Sequence, residues 1–390
     1  MTYRVVAAAA AAALAGHLST AMAAEIELPP NLSATAYDTT ASGYAQSVAI
    51  GNMLKKNYGT ELRVIPGKND VSRMLPLKSG QAELCACGIA SYFGQEGVFL
   101  FAKEDWGPQR IFNLFNAIGR NGNSIVVTQS SGIKTAADLK GKRIAWVRAA
   151  PALNIIVEGY LAFAGLTTDD VELVLFPGWG QSQDGVVAGQ ADVSVVSTVS
   201  PHVERINASP HGAFWITLPH DDKEGWERLQ AVMPYMTPRM VSQGVAMEQN
   251  TSGKVPYEGS GYPYPIFISM NTLPEATAYG LTKAVFEHYD DFSGAPGADG
   301  YKLENQDLDW VMPYHPGSIA YYKEIGKWTP EHQANTDALL QRQDLLAEAW
   351  ANFLATDPAE ADFEAKWIAA RAEALDKAGL SVPFRNASSD

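Results

Sequence analysis

Residues Arg63 to Gly88 read RVIPGKNDVSRMLPLKSGQAELCACG, and Val174 to Ser197 read VLFPGWGQSQDGVVAGQADVSVVS. The two stretches share one plan. Each opens on a short apolar run ending in Pro-Gly (Pro66-Gly67, Pro177-Gly178) and passes through a polar loop into a helix-like segment. Each then closes on Gly-Gln-Ala-acid-apolar (Gly80 to Leu84, Gly189 to Val193) and a second apolar run. The correspondence extends upstream, where LSATAY (Leu32 to Tyr37) and KRIAWV (Lys142 to Val147) precede the two Pro-Gly pairs at similar spacing. A helical pattern fills the interval in both copies. In the first, Ala45, Val48, Ala49 and Met53 fall on one face. In the second, PALNIIVEGYLAFAGL starts at Pro151, a residue suited to a first helical turn, and ends at Gly165. Each copy therefore reads strand–helix–strand–helix–strand, a right-handed βαβαβ unit with parallel strands.

The expected fold class is α/β: two doubly wound α/β domains joined by a hinge, with C-terminal helices. A chain of 390 residues accommodates two such domains. RIFNLFNAIG (Arg110 to Gly119) and NSIVVTQ (Asn123 to Gln129) lie between the copies, and YPIFISMN (Tyr264 to Asn271) reads as the return crossing. The Leu-, Ala- and charge-rich stretch from Glu331 to Ala378 reads as helices packing back on domain one. The division expected is 24–120 plus 272–390 for domain one and 121–271 for domain two, after a signal peptide at 1–23.

That signal reads from Arg4, the apolar VVAAAAAAALAG and the small-residue AMA, with cleavage after Ala23. It is shorter than the roughly 20 apolar residues of a membrane span, so an exported protein is expected. The formal net charge is −14, which argues against a nucleic-acid partner, because such partners reward clustered Lys and Arg. Cys85 and Cys87 are the only cysteines, on one face of an expected strand. A bridge at that spacing is expected to be strained, so buried free thiols are the reading. Two cysteines without a His cluster make no zinc site, and neither a metal nor a cofactor is expected.

In open α/β sheets, ligands bind outside the carboxyl ends of the strands. Two facing domains then make a cleft with matching loops on both walls. The first loop of domain one, DTTASGYAQ, offers Thr39, Thr40 and Ser42 as hydroxyls, Gly43 for close backbone approach, and Tyr44. It opens a helix whose free N–H groups favour anions, although Thr39 or Ser42 could equally be a cap. The matching loop, RAAPALN, offers Arg148, Ala149 and Asn154, and the guanidinium fork of Arg148 suits a carboxylate. Asn69 comes from the second loop of domain one, Trp179 and Gln181 from that of domain two, and Ser91 and Ser197 from the third loops. Arg239 is a further anchor for an anion. His202 reads as a polar loop residue, and no Ser-His-Asp order, HExxH, P-loop or GxSxG appears. No catalytic residue is therefore assigned.

The chain resembles the solute-binding subunits of TRAP transporters, of the TAXI family. The similarity spans nearly the whole mature chain. It rests on TASGYAQSVAIGNML, LKSGQAEL, DLKGKRIAWV, AGLTTDDVEL, VAGQADVSVVS and, most specifically, PYHPGSIAYYKEIGKWTPE (Pro313 to Glu331). The resemblance implies a periplasmic binding protein-like fold that closes on a small organic anion or an amino acid, with dicarboxylate and glutamate-like ligands typical. It further implies delivery to TRAP membrane subunits driven by an ion gradient. One departure is local: the second-domain loop, close to Gly-Ser-Gly-Thr in that family, is Ala149-Ala150-Pro151-Ala152 here, leaving fewer donors there and Arg148 as their replacement. The rival readings are an enzyme or sensor module on the same fold, and the binding protein of an ABC importer.

Overall fold

The structure, a computed structural model, describes residues 26–270 and 272–387; the expected signal peptide lies outside them. The chain begins with β1 (Asn31–Ala36), α1 (Ser42–Tyr58), β2 (Glu61–Pro66), α2 (Asp70–Lys78), β3 (Leu84–Cys87), α3 (Ala90–Glu96) and β4 (Ile111–Asn116). It crosses to β5 (Asn123–Thr128), then repeats the pattern with β6 (Arg143–Val147), α4 (Pro151–Phe163), β7 (Glu172–Phe176), α5 (Trp179–Val187), β8 (Val193–Ser197), α6 (Pro201–Ala208) and β9 (Ala213–Trp215). Helix α7 (Lys223–Val232) and a two-stranded ribbon, β10 (Thr237–Val241) with β11 (Tyr257–Gly261), follow. The chain then returns through β12 (Ile266–Met270) to α8 (Glu275–Glu287), α9 (Pro316–Glu324), α10 (Pro330–Leu354) and α11 (Phe363–Lys377).

The two sheets have the same plan. The first runs β2-β1-β3-β12-β4 and the second β7-β6-β8-β5-β9. In each, the three strands of the βαβαβ copy are parallel and one antiparallel crossing strand, β12 or β5, is inserted beside the third. The architecture is the expected pair of α/β units with C-terminal helices. The return strand at 266–270 pairs with β3 and β4 and so belongs to the first sheet. The two crossings are hydrogen-bonded to each other, Tyr264 N–H to Ala117 O at 2.7 Å and Ala117 N–H to Pro265 O at 3.0 Å. The central strands β3, β5 and β8 are buried along their whole length, as layers covered on both faces require.

Local chemistry sets the element ends. Gly59, at φ 70°, closes α1 by donating to Lys55 O. Pro151 opens α4 as its first residue. Helices α10 and α11 pack on the first unit through Glu96, which accepts from Arg342 and Arg371, and through Trp367, whose indole donates to Gly97 O at 2.6 Å.

The free-thiol expectation is corrected: Cys85 and Cys87 form a disulfide. A fully extended strand holds alternate Cα atoms about 6.6 Å apart, but β3 contracts here to a Cα–Cα distance of 5.2 Å. That separation lies inside the range a bridge spans.

Candidate functional site

Three short segments of the first unit meet the second unit at the carboxyl ends of the parallel strands. The centre is the start of α2. Asn69 caps it, accepting from the Ser72 N–H at 2.9 Å while the Ser72 hydroxyl accepts from the Asn69 N–H at 3.0 Å. One turn of helix then sets Asp70 and Arg73 on the same face. Both side chains are completely buried and joined at 2.7 Å. Tyr37, just beyond β1, donates its hydroxyl to Asp70 Oδ1 and lays its ring 3.4 Å beneath the Arg73 guanidinium. Burial pushes the Tyr37 hydroxyl well above its ordinary value, so it remains a neutral donor.

Asp70 also reaches across the cleft. Its Oδ2 accepts from the Ala152 N–H, in the first turn of α4, at 2.8 Å. A carboxylate of one unit thus satisfies an orphan amide at a helix start of the other, with the helix dipole in its favour. Backbone bonds flank this contact: Asp70 N–H to Ala149 O at 3.1 Å and Trp179 N–H to Lys68 O at 3.0 Å. The Asn69 side-chain amide donates to Arg148 O at 3.3 Å. At the cleft edge, Arg205 Nη1 lies 3.2 Å from His202 Nδ1, and His202 Nε2 lies 2.6 Å from Thr40 Oγ1. Arginine can only donate, so Nδ1 accepts and Nε2–H donates to Thr40, whose hydroxyl in turn donates to Asp38 Oδ1 at 2.7 Å. Burial first, and then the Arg205 charge, hold the His202 pKa below its ordinary value.

These contacts enclose a small cavity of about 30 Å³. Its wall is mainly aromatic and aliphatic: Tyr37, Trp179, Tyr262, Tyr264, Leu153 and Ile156. Polar groups come from Ser42, Asn123, Ser197, Ser200 and Arg73. The Trp179 ring faces Tyr37 across the cleft at 6.0 Å and is fixed by its own N–H to Val195 O at 2.9 Å. Arg73 Nη1 reaches Ala86 O at 3.4 Å, and its Nε is buried without a partner.

Of the residues expected from sequence, Ser42, Trp179 and Ser197 line this cavity, and Thr40, Asn69 and Ala149 make bonds across the cleft. Gly43 lies under Pro265, whose Cγ would be 3.2 Å from an added Cβ. Tyr44 is half-buried and Ser91 is buried, its hydroxyl on Gly88 O. Asn154 binds both backbone groups of Val147, each at 3.0 Å, and so fixes its own loop. Thr39, Gln181 and Arg148 are exposed and outside the cavity lining. Arg148 contributes its carbonyl rather than its guanidinium. Arg239 lies on β10, half-buried over Gly261 and outside the lining. Asp70, Arg73, Tyr37, Tyr262, Tyr264 and His202 complete the site. Only the Asp-x-x-Arg spacing in NDVSR and the tyrosines of SGYPYP signalled them in the sequence.

Among the described residues, no group of three or more His, Cys, Asp and Glu could hold a metal ion, and no helix is long and apolar enough to cross a membrane. The model of the NMT1-like family matches residues 34–326. Similar solved structures include the alkanesulfonate-binding protein SsuA from Xanthomonas axonopodis pv. citri bound to MOPS. It is 17% identical over 86% of this chain and 96% of that one, with a TM-score of 0.42. The periplasmic aliphatic sulphonate binding protein SsuA from Escherichia coli is 15% identical over 92% of each chain, with a TM-score of 0.38. No curated relative matches the sequence.

Proposed function

The chain belongs to the NMT1-like family, and from that premise we propose that it is an exported, periplasmic solute-binding protein. In this reading it captures a small organic carboxylate between its two units and passes it to the membrane subunits of a TRAP transporter. It is a receptor, not an enzyme. Dicarboxylates and glutamate-like compounds are the members of that class implied by the TAXI resemblance. The observation that carries the reading is the cleft itself: bonds from both βαβαβ copies meet around a cavity holding a buried guanidinium and aromatic rings. Hinged units of this kind close around ligands.

Two measurements test it. A thermal-shift panel of carboxylates and amino acids should find a ligand that, at a hundred times its dissociation constant, adds about 2.7 kcal/mol of stability. Failure of every carboxylate would overturn capture. Reconstitution with the membrane subunits in vesicles should give uptake driven by an ion gradient without ATP. Strict dependence on ATP would instead assign the protein to an ABC-type importer.

A further inference from the structure

The charge balance of the cleft narrows the ligand, and this step rests on the reading of the cleft as the capture site. Among the described residues lining the cavity, Arg73 is the one charged side chain. Its charge is already matched by Asp70, at 2.7 Å and with both groups fully buried. Asp70 also occupies one helix start, accepting from the amide of Ala152 at the start of α4, at 2.8 Å. What remains for an incoming anion is Arg73, whose Nε is buried and unpartnered, and neutral donors: the uncapped start of α1 at Ser42 and the side chain of Asn123. Lys68 and Arg148 are exposed and outside the lining. Asp38, half-buried at the edge beside Gly180, adds negative charge.

We infer that the ligand carries no more than one carboxylate, joined to an apolar body, and that Asp70 is the specificity-determining residue that sets this limit. One carboxylate meets the free guanidinium donor. A second would be buried against Tyr, Trp, Leu and Ile with no further cation in the lining, and a charge without a counter-charge in such surroundings is strongly disfavoured. An apolar body instead gains the aromatic wall of Tyr37, Trp179, Tyr262 and Tyr264. The site thus contains its own second carboxylate, and dicarboxylates of matched length are selected against.

The test is titration calorimetry of the full chain with two matched pairs, pentanoate against glutarate and leucine against glutamate. In the wild type the singly carboxylated member of each pair should bind roughly tenfold tighter or more. Asp70→Asn removes the internal anion and should shrink or invert that ratio. Glutarate or glutamate binding the wild type as tightly as its partner would overturn the inference while leaving capture intact. An unchanged ratio in a folded Asp70→Asn protein would overturn the role of Asp70. Binding of none of the four would overturn the capture of carboxylates, and the inference with it. If Asp70→Asn fails to fold, the wild-type ranking alone decides the ligand charge, and Asp70→Glu, which keeps the anion, should preserve that ranking.

Discussion

Replacing Glu96 by Gln should detach the C-terminal helices from the first unit. Glu96 sits at the end of α3 with no exposed side-chain surface. It accepts from Arg342 Nε and Nη2, each at 2.7 Å, and from Arg371 Nη2, the two arginines belonging to α10 and α11. The same arginines hold the tail, Arg342 at Ser381 O (2.9 Å) and Arg371 at Pro383 O (3.1 Å). Phe384 then packs on Phe93 at 5.1 Å and approaches Tyr235 of the second unit at 6.4 Å. Gln keeps the shape but removes the charge and turns one acceptor into a donor facing a guanidinium. Two cations are then left without a counter-charge, one of them fully buried. Breaking a buried ion pair from one side costs about 3–5 kcal/mol, which in a chain of this size lowers the melting temperature by roughly 4–6 °C. Calorimetry gives the total, and hydrogen exchange over 363–387 locates it. A loss below about 1 kcal/mol with unchanged exchange would refute the reasoning, because it would mean the arginines find water or other partners. Acid gives the same test without mutation. Burial alone would raise the Glu96 pKa, but the two arginines outweigh it and hold it low. Its stabilisation is therefore complete above the ordinary glutamate range and is lost as the pH falls through the lowered native value.

Three further outcomes follow from the geometry. Gly317→Ala would place a Cβ 2.1 Å from Glu275 O and should force α8 and α9 apart, costing about 1–3 kcal/mol or more in urea unfolding; an unchanged midpoint would contradict the crossing. His202 must stay neutral on Nδ1 to accept from Arg205, with Asp184 and Asp38 as the acids nearby. With its native pKa lowered, its contribution is whole above the ordinary histidine value of 6.5 and wanes below it. Ligand affinity should thus fall as the pH drops below that value, and His202→Gln should flatten the profile in that range. The Cys85–Cys87 bridge closes a loop of sequence separation 2. Its loss in a Cys85→Ser, Cys87→Ser double variant should cost no more than about 2 kcal/mol, and thiol titration of the unreduced protein should find no free cysteine.

The fold was legible because repetition and periodicity are local properties. The two Pro-Gly stretches, the Pro151 start and the Gly165 end of α4 all mark elements that the structure contains. The stretch on which the TAXI resemblance most rests, PYHPGSIAYYKEIGKWTPE, is largely architectural. Its Gly317 permits the close α8–α9 approach, and Tyr322 donates to Leu114 O behind the first sheet. The site was legible only in part, because its chemistry joins residues distant in the chain. Asp70 meets Ala152, Thr40 meets His202, and Tyr262 and Tyr264 arrive on the return crossing. Arg148 was singled out because it stands at the carboxyl end of β6, but alternation along the strand cannot say which way a loop residue turns, and its side chain faces solvent. The cation of the cleft, Arg73, sits within a helix whose pattern reads as ordinary.

In the proposed reading the two units close on the ligand through bonds made across the cleft. The most direct measurement is hydrogen exchange at the backbone amides of Ala152 and Trp179, which donate to Asp70 and Lys68 of the other unit. With saturating ligand both amides should exchange slowly, and without ligand far faster, while amides inside β3 and β8 stay unchanged. Equal exchange at Ala152 and Trp179 with and without bound ligand would contradict closure as the mode of capture.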